Sequence, residues 1–160
     1  METLLMKIVA DPKLAEHLAD NPFFADLDPT ERGQIAPYLQ SAEFTKGETI
    51  FQEGDDGSFA CFIAEGQVDV CKQNEMGEQV LIAILAKGRS IGEMSLIDSA
   101  PRSASVTARS DGKTLLLHAD SFSKLVDTHP RIGVRLLLRI ARMMSMNLRK
   151  TSAKMAELLS

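Results

Sequence analysis

Residues 91–106 read Ile-Gly-Glu-Met-Ser-Leu-Ile-Asp-Ser-Ala-Pro-Arg-Ser-Ala-Ser-Val, and their types and spacing are those of an anion cradle. Gly92 has no Cβ, so backbone can approach a ligand closely there. Glycine and glutamate open a turn compatible with a short helix. Its unpaired N–H groups, from Met94 onward, favour a negative charge. Arg102 follows Glu93 after an eight-residue spacer. Its guanidinium can give a forked, charge-assisted pair of hydrogen bonds to two oxygens of one anion. Glu93 is the odd member. A carboxylate beside an anion needs a separate task, and accepting a hydrogen bond from a sugar hydroxyl is one it can perform.

Other chemistry is missing from the sequence. His17, His118 and His129 are scattered without metal-ligand spacing, and no Ser/His/Asp or Cys/His arrangement is visible. No catalytic residue and no metal ligand is assigned, and the chain does not read as an enzyme. Cys61 and Cys71 are the two cysteines; they read as reduced core thiols of a cytoplasmic protein, with a disulfide or metal pair as the alternative. Net charge is −4, so there is no global nucleic-acid footprint. From Arg131 onward, however, seven basic residues face only Glu157. Charges spread around a helix in this way read first as a solvated face. No run of about 18 apolar residues exists, so no membrane span is expected. Residues 1–10 lack the basic start and long apolar core of a signal peptide.

The elements that must position the cradle can be read from periodicity. With 160 residues and 44% hydrophobic content, one domain with a substantial core is expected. Leu4, Leu5, Ile8, Leu14 and Leu18 recur at helical intervals over residues 2–20, with Asp11-Pro12 splitting two short helices. Phe23 and Phe24 follow on a link and should dock. Asp28-Pro29-Thr30-Glu31 is a helix start, with the helix running to about Leu39 and turning Ile35, Tyr38 and Leu39 inward. Between residues 41 and 118 the pattern changes to short strands. Candidates are 42–45, 49–52, 60–64, 68–72, 79–85, 103–108 and 114–118, punctuated by glycine turns. About eight such strands suggest a sandwich or barrel. A helix over 119–129 carries Phe122, Leu125 and Val126 and ends before Pro130. Residues 131–159 then form one helix of roughly 40 Å. On it Val134, Leu137, Ala141, Met144, Leu148, Thr151, Met155 and Leu158 follow a heptad alternation, while Ile132, Leu136, Ile140 and Met143 form a second stripe. One stripe packs on the body and the seam joins a partner helix; the alternative buries both within one monomer. The chain thus divides into N-terminal helices (1–40), strands (41–118) and C-terminal helices (119–160), one domain overall.

Gly92-Glu93, the spacer and Arg102-Ser103-Ala104 resemble the phosphate-binding cassette of the cyclic nucleotide-binding domain family. So does the upstream segment Gln52-Glu53-Gly54-Asp55-Asp56-Gly57, then Ala60-Cys61-Phe62-Ile63 and Gly66-Gln67-Val68-Asp69-Val70. The resemblance spans about residues 22–150. It implies an α+β fold: an eight-stranded antiparallel β-roll, jelly-roll-like, flanked by N-terminal helices and a long C-terminal helix. Two departures occur. Ala60 and Cys61 stand where larger apolar or tyrosine side chains are usual, and Ile91 replaces a common phenylalanine.

The resemblance also implies a ligand, a 3′,5′-cyclic nucleotide, and no further cofactor. Carried over, Arg102 partners the cyclic phosphate with backbone N–H groups of Met94, Ser95, Ser103 and Ala104, beside Gly92. Glu93 takes the ribose 2′-OH. Val70 and Ile82 match positions that line the base. Asn147 stands where the last helix covers it, with Arg139 and Arg142 as alternatives. A hydroxyl at Ser103 can favour cyclic GMP, yet serine also occurs there in cyclic AMP binders; cyclic AMP is preferred, cyclic GMP next. The implied function is a cytoplasmic sensing module, homodimeric through the C-terminal helix. Ligand binding repositions that helix and signals to a downstream effector that the sequence does not name. Two rival readings remain. One is a fragment of a catabolite-activator-type DNA-binding regulator, since no helix-turn-helix follows the long helix here. The other is a scaffold or dimerisation protein with a vestigial pocket.

Overall fold

The computed structural model describes residues 4–160. Two antiparallel sheets face each other. The first has strand order β1 (Lys7–Val9), β2 (Gln40–Phe44), β9 (Gly112–His118), β4 (Phe59–Glu65) and β7 (Ser90–Ile91); the second runs β3 (Thr49–Phe51), β8 (Ser105–Ala108), β5 (Gln67–Gln73) and β6 (Gln79–Ala86). The eight strands from β2 to β9 are the expected β-roll. A core between the sheets joins Phe44, Ile50, Phe59, Ile63, Val68, Val106 and Leu116. β4 up to Ala64 and the centre of β9 are buried, which explains their continuous apolar runs.

The ninth strand is a correction. Residues 7–9 lie opposite Glu43, Ala42 and Ser41 of β2 as an edge strand, where helical spacing had predicted a helix. The open edge of β2 offers a partner to the β-branched pair Ile8-Val9, and pairing overrides the spacing. Residues 1–3 of that predicted helix lie outside the described residues. Its second half holds as α1 (Leu14–Asp20).

The remaining helices form a layer on the outer face of the first sheet. α2 (Pro29–Ile35) starts as expected: Glu31 N–H donates to Asp28 Oδ1 at 2.8 Å and Asp28 N–H donates to Glu31 Oε1 at 3.1 Å. It stops short of Leu39 because Pro37 has no N–H to give, and a 3-10 turn over Ala36–Tyr38 takes over. Ile35 and Leu39 are buried as expected, while Tyr38 packs at the margin. Phe23 and Phe24 dock against Phe62, with ring centroids 4.6 and 4.9 Å away. Burying each such ring contributes about 2–3 kcal/mol.

α3 (Ala119–Thr128) turns at His129 into α4 (Pro130–Leu159). A Cβ on Gly133 would come within 2.9 Å of Val126 Cγ2, so glycine sets how closely these helices cross. Ile132, Leu136 and Ile140 are buried on the body. Arg135 pairs with Glu31, and Arg142 lies 3.8 Å from Asp26. After Met143 the helix leaves the body, and every residue from Met144 to its end is exposed. The heptad seam is exposed along its whole length, while the second stripe is the packed one. Neither cysteine is in a disulfide; Cys61 is buried and Cys71 half-buried. No helix among the described residues is long and apolar enough to cross a membrane.

Candidate functional site

A cavity of about 310 Å³ opens where four pieces of chain meet: a 3-10 turn (Glu93–Leu96), the arm 101–104, the β5–β6 hairpin and α4. All ten predicted site residues line it: Gly92, Glu93, Met94, Ser95, Arg102, Ser103, Ala104, Val70, Ile82 and Asn147.

Gly92 is left-handed, at φ +75°, and begins the turn. A Cβ there would lie 2.4 Å from Arg102 Nη1 and 3.1 Å from the Phe59 carbonyl oxygen. Glycine therefore allows both the sharp turn and the close passage of the arginine. Arg102 is 5% exposed. Nη1 donates to Ser95 Oγ and Nη2 to the Phe59 carbonyl, each at 2.7 Å. Its carbon stacks 3.9 Å from the Phe51 ring centroid and 4.8 Å from that of Phe59. The charge is held rigidly at the cavity wall.

The upstream glycines explain themselves here. Arg102 N–H donates to the Asp55 carbonyl at 2.6 Å, and Gly54 N–H donates to the Arg102 carbonyl at 2.8 Å. Gly54 is left-handed at φ +91°. A Cβ on Gly57 would lie 2.1 Å from Ser95 Oγ. The two motifs, distant in sequence, are halves of one clasp around Arg102.

Glu93 lies on the same cavity. Its Oε2 is buried and makes no hydrogen bond. A buried carboxylate oxygen without a donor is costly, so turning this carboxylate toward a donor would be favourable. Val70 and Ile82 form the apolar wall. Val70 stands opposite Ala83 but Cys71 opposite Leu81, so Ile82 is the extra residue of a bulge, which re-aims a side chain. Asn147 reaches the cavity from the projecting part of α4. Arg139 and Arg142 do not line it; Arg142 is turned to Asp26.

Some lining residues were missed by the sequence reading. Phe51, Ser90, Asp98 and Val106 also face the cavity. Phe51 reads as an ordinary strand residue, and only its position beside the clasp gives it the stacking role. Ile91 lies on the floor where a phenylalanine is usual, leaving a smaller floor residue. No group of three metal-ligating side chains exists among the described residues.

A family model described as "Cyclic nucleotide-binding domain" matches residues 41–129. The chain belongs to the cyclic nucleotide-binding domain family. The "Cyclic AMP receptor protein" of Thermus thermophilus is 32% identical over 122 residues, covering 76% of this chain and 56% of that protein. The "cAMP-dependent protein kinase regulatory subunit" of Mycosarcoma maydis is 33% identical over 134 residues, 84% of this chain and 24% of that one. The crystal structure of Thermus thermophilus catabolite activator protein superposes with a TM-score of 0.78 at 29% identity, over 86% of this chain and 63% of that one. These relatives are regulatory proteins. As a cyclic nucleotide-binding domain, the chain spans 62% or less of the length of the curated relatives it matches.

Proposed function

We propose that this domain is a sensor that binds a 3′,5′-cyclic nucleotide, cyclic AMP in preference to cyclic GMP, and performs no catalysis. The single observation that carries the reading is that Glu93, one of whose carboxylate oxygens has no partner, and the clasped Arg102 line one cavity. A cyclic phosphate supplies the anion for Arg102 and for the N–H groups of Met94, Ser95, Ser103 and Ala104. The ribose supplies the donor, because only the 2′-OH of a 3′,5′-cyclic nucleotide is free, and it meets Glu93. Val70 and Ile82 take one face of the base. Asn147 has a donor and an acceptor for the purine edge. The relatives named for cyclic AMP support this choice of ligand.

The response runs through α4. Its first half is pinned by Ile132, Leu136, Ile140 and the Arg135–Glu31 pair, whereas Asn147 belongs to the unpinned half. A ligand that contacts Asn147 in only one position of this half shifts the helix toward that position, by no more than its differential affinity. The domain acts in the cytoplasm as a homodimer through the exposed seam.

A second reading is favoured by the lengths of the relatives. The chain covers 62% of the "CRP-like cAMP-activated global transcriptional regulator" of Mycobacterium tuberculosis, at 28% identity. It would then be the sensing half of a DNA-binding regulator, with α4 as the lever. A scaffold with a vestigial pocket is the third possibility, and the intact clasp speaks against it.

Calorimetric titration with cyclic AMP and cyclic GMP, beside Arg102→Ala, tests the reading. Micromolar or tighter binding that the variant loses is expected. Failure of both nucleotides to bind the wild-type protein would sink the sensor and leave the scaffold.

A further inference from the structure

The arm that carries Arg102 is held from a side that the cassette sequence does not predict. Lys72, near the end of β5, donates from Nζ to the carbonyl oxygen of Ser103 at 2.6 Å. The same ammonium lies 3.5 Å from Glu53 Oε2, and Glu53 Oε1 accepts the Gln73 N–H at 3.0 Å. That backbone hydrogen bond holds the Glu53 carboxyl below its ordinary range, with the Lys72 charge helping and desolvation opposing. Glu53 N–H in turn donates to Ser105 Oγ at 2.9 Å. Three segments therefore meet at Lys72: the end of β5, the turn after β3 and the arm. Val70 of the base wall is two residues away on the same strand.

The peptide that Lys72 grips is the one joining Ser103 to Ala104. In a planar trans peptide the C=O and the N–H point in opposite directions. Fixing the Ser103 oxygen toward β5 fixes the Ala104 N–H toward the other side, and Ala104 lines the cavity. A carbonyl bonded to a cation also polarises its peptide, which strengthens the N–H as a donor. Lys72 itself does not line the cavity.

We propose that Lys72 is a positioning residue for the anion site: it sets the orientation of the Ser103–Ala104 peptide, and so the aim of the Ala104 N–H at the ligand phosphate. The proposal rests on the cyclic nucleotide reading above. Its side chain is half exposed, so the grip acts on ligand affinity with little weight in the fold.

The test compares wild type, Lys72→Met and Lys72→Arg by calorimetry with cyclic AMP, together with thermal melts without ligand. Lys72→Met keeps the aliphatic stem and removes the donor. It is expected to weaken binding about five- to fifteen-fold, the low end for a hydrogen bond to a charged group. Its unliganded melting temperature should stay within about 2 °C of wild type, as for other surface substitutions. Lys72→Arg keeps charge and donors and should restore affinity to within about threefold. Equal affinity of Lys72→Met and wild type overturns the proposal. So does an equal loss in Lys72→Arg, which would make the site sensitive to side-chain shape alone. Absence of binding by the wild-type protein would remove the nucleotide reading itself, and this proposal with it.

Discussion

Glu93, half-buried, and Arg102, buried, line one cavity, yet their situations differ. Arg102 is satisfied within the protein, donating to Ser95 and Phe59, whereas one oxygen of Glu93 is not. The two residues should respond differently to removal. Glu93→Ala deletes an unsatisfied atom, so the unliganded protein should melt at the same temperature or be more stable by up to about 1 kcal/mol. Affinity for cyclic AMP should fall roughly ten- to hundredfold, the value of a hydrogen bond to a charged group, and the preference over the 2′-deoxy analogue should vanish. Calorimetry with both nucleotides reads this, and retained discrimination in Glu93→Ala would show that the 2′-OH is recognised elsewhere. Gly92→Ala behaves in the opposite way. It imposes a left-handed φ on a side chain and drives a Cβ to 2.4 Å from Arg102 Nη1. The melt without ligand should reveal a loss of about 1–3 kcal/mol. The meeting of Gly92, Glu93 and Arg102 at one cavity was legible in the sequence because glycine, glutamate and arginine at that spacing have few other joint uses. Phe51 and Lys72 were not legible, since a strand phenylalanine and an exposed lysine acquire roles only through neighbours from distant segments.

Among the elements, α4 was read almost completely and β1 was misread, for one reason. Thirty residues of α4 repeat a pattern often enough to define its faces. Its arginines, read from sequence as spread around the helix, in fact fall within an arc of about 80°: Arg131, Arg135, Arg139, Arg142 and Arg149 lie opposite the seam and beside the second stripe. Three residues of β1 cannot define a period, and what decides them is the edge of β2. That edge strand is stapled by Asp11, whose side chain is 1% exposed. Asp11 Oδ2 lies 2.8 Å from His17 Nδ1 and accepts from Ser41 Oγ at 3.0 Å, and Oδ1 accepts the Lys13 N–H at 3.0 Å. Lys113 Nζ is 3.6 Å from Oδ1, and Glu65 faces the far nitrogen of His17 at 3.9 Å. Burial alone would raise the Asp11 pKa, but the hydrogen bonds from His17, Lys13 and Ser41 outweigh it and hold it below the ordinary 3.8. A lowered folded pKa means stability that is present above the unfolded value and lost as pH falls through the folded one. Asp11→Asn should therefore melt lower than wild type at neutral pH. The gap should narrow only once pH drops below about 3.8, where the wild-type carboxyl protonates. Melts from pH 7 to pH 2.5 check this, and a gap that widens in acid would mean that the folded protein disfavours the ionised Asp11 carboxylate.

At the scale of the whole molecule the question is what covers the far half of α4. Sixteen helical residues from Met144 to Leu159 project from the body with every side chain exposed, and among them Asn147 lines the cavity. An isolated helix of this length is marginal in water, because nucleation is costly and most helical stability comes from packing an apolar face. Met144, Leu148, Met155 and Leu158 on this stretch are all exposed, and they continue the seam begun by Val134 and Leu137. The heptad repeat keeps that seam on one line, and the homodimer proposed above would cover it with a second copy of α4. Asn147 sits on the same stretch, so a partner that orders the helix also fixes one wall of the ligand cavity. In such a dimer, dimerisation and ligand affinity would be linked, each strengthening the other by the same factor. Leu148→Glu places a carboxylate against its own copy at the seam, where burying unpaired like charges costs several kcal/mol. The variant is expected to be a monomer by light scattering, to lose helical circular dichroism from the projecting turns, and to bind cyclic AMP more weakly. Leu148 itself does not line the cavity, so a weaker affinity would travel through the helix. A wild-type protein that stays monomeric at high concentration with nucleotide present would overturn the seam, and with it the link between the two equilibria.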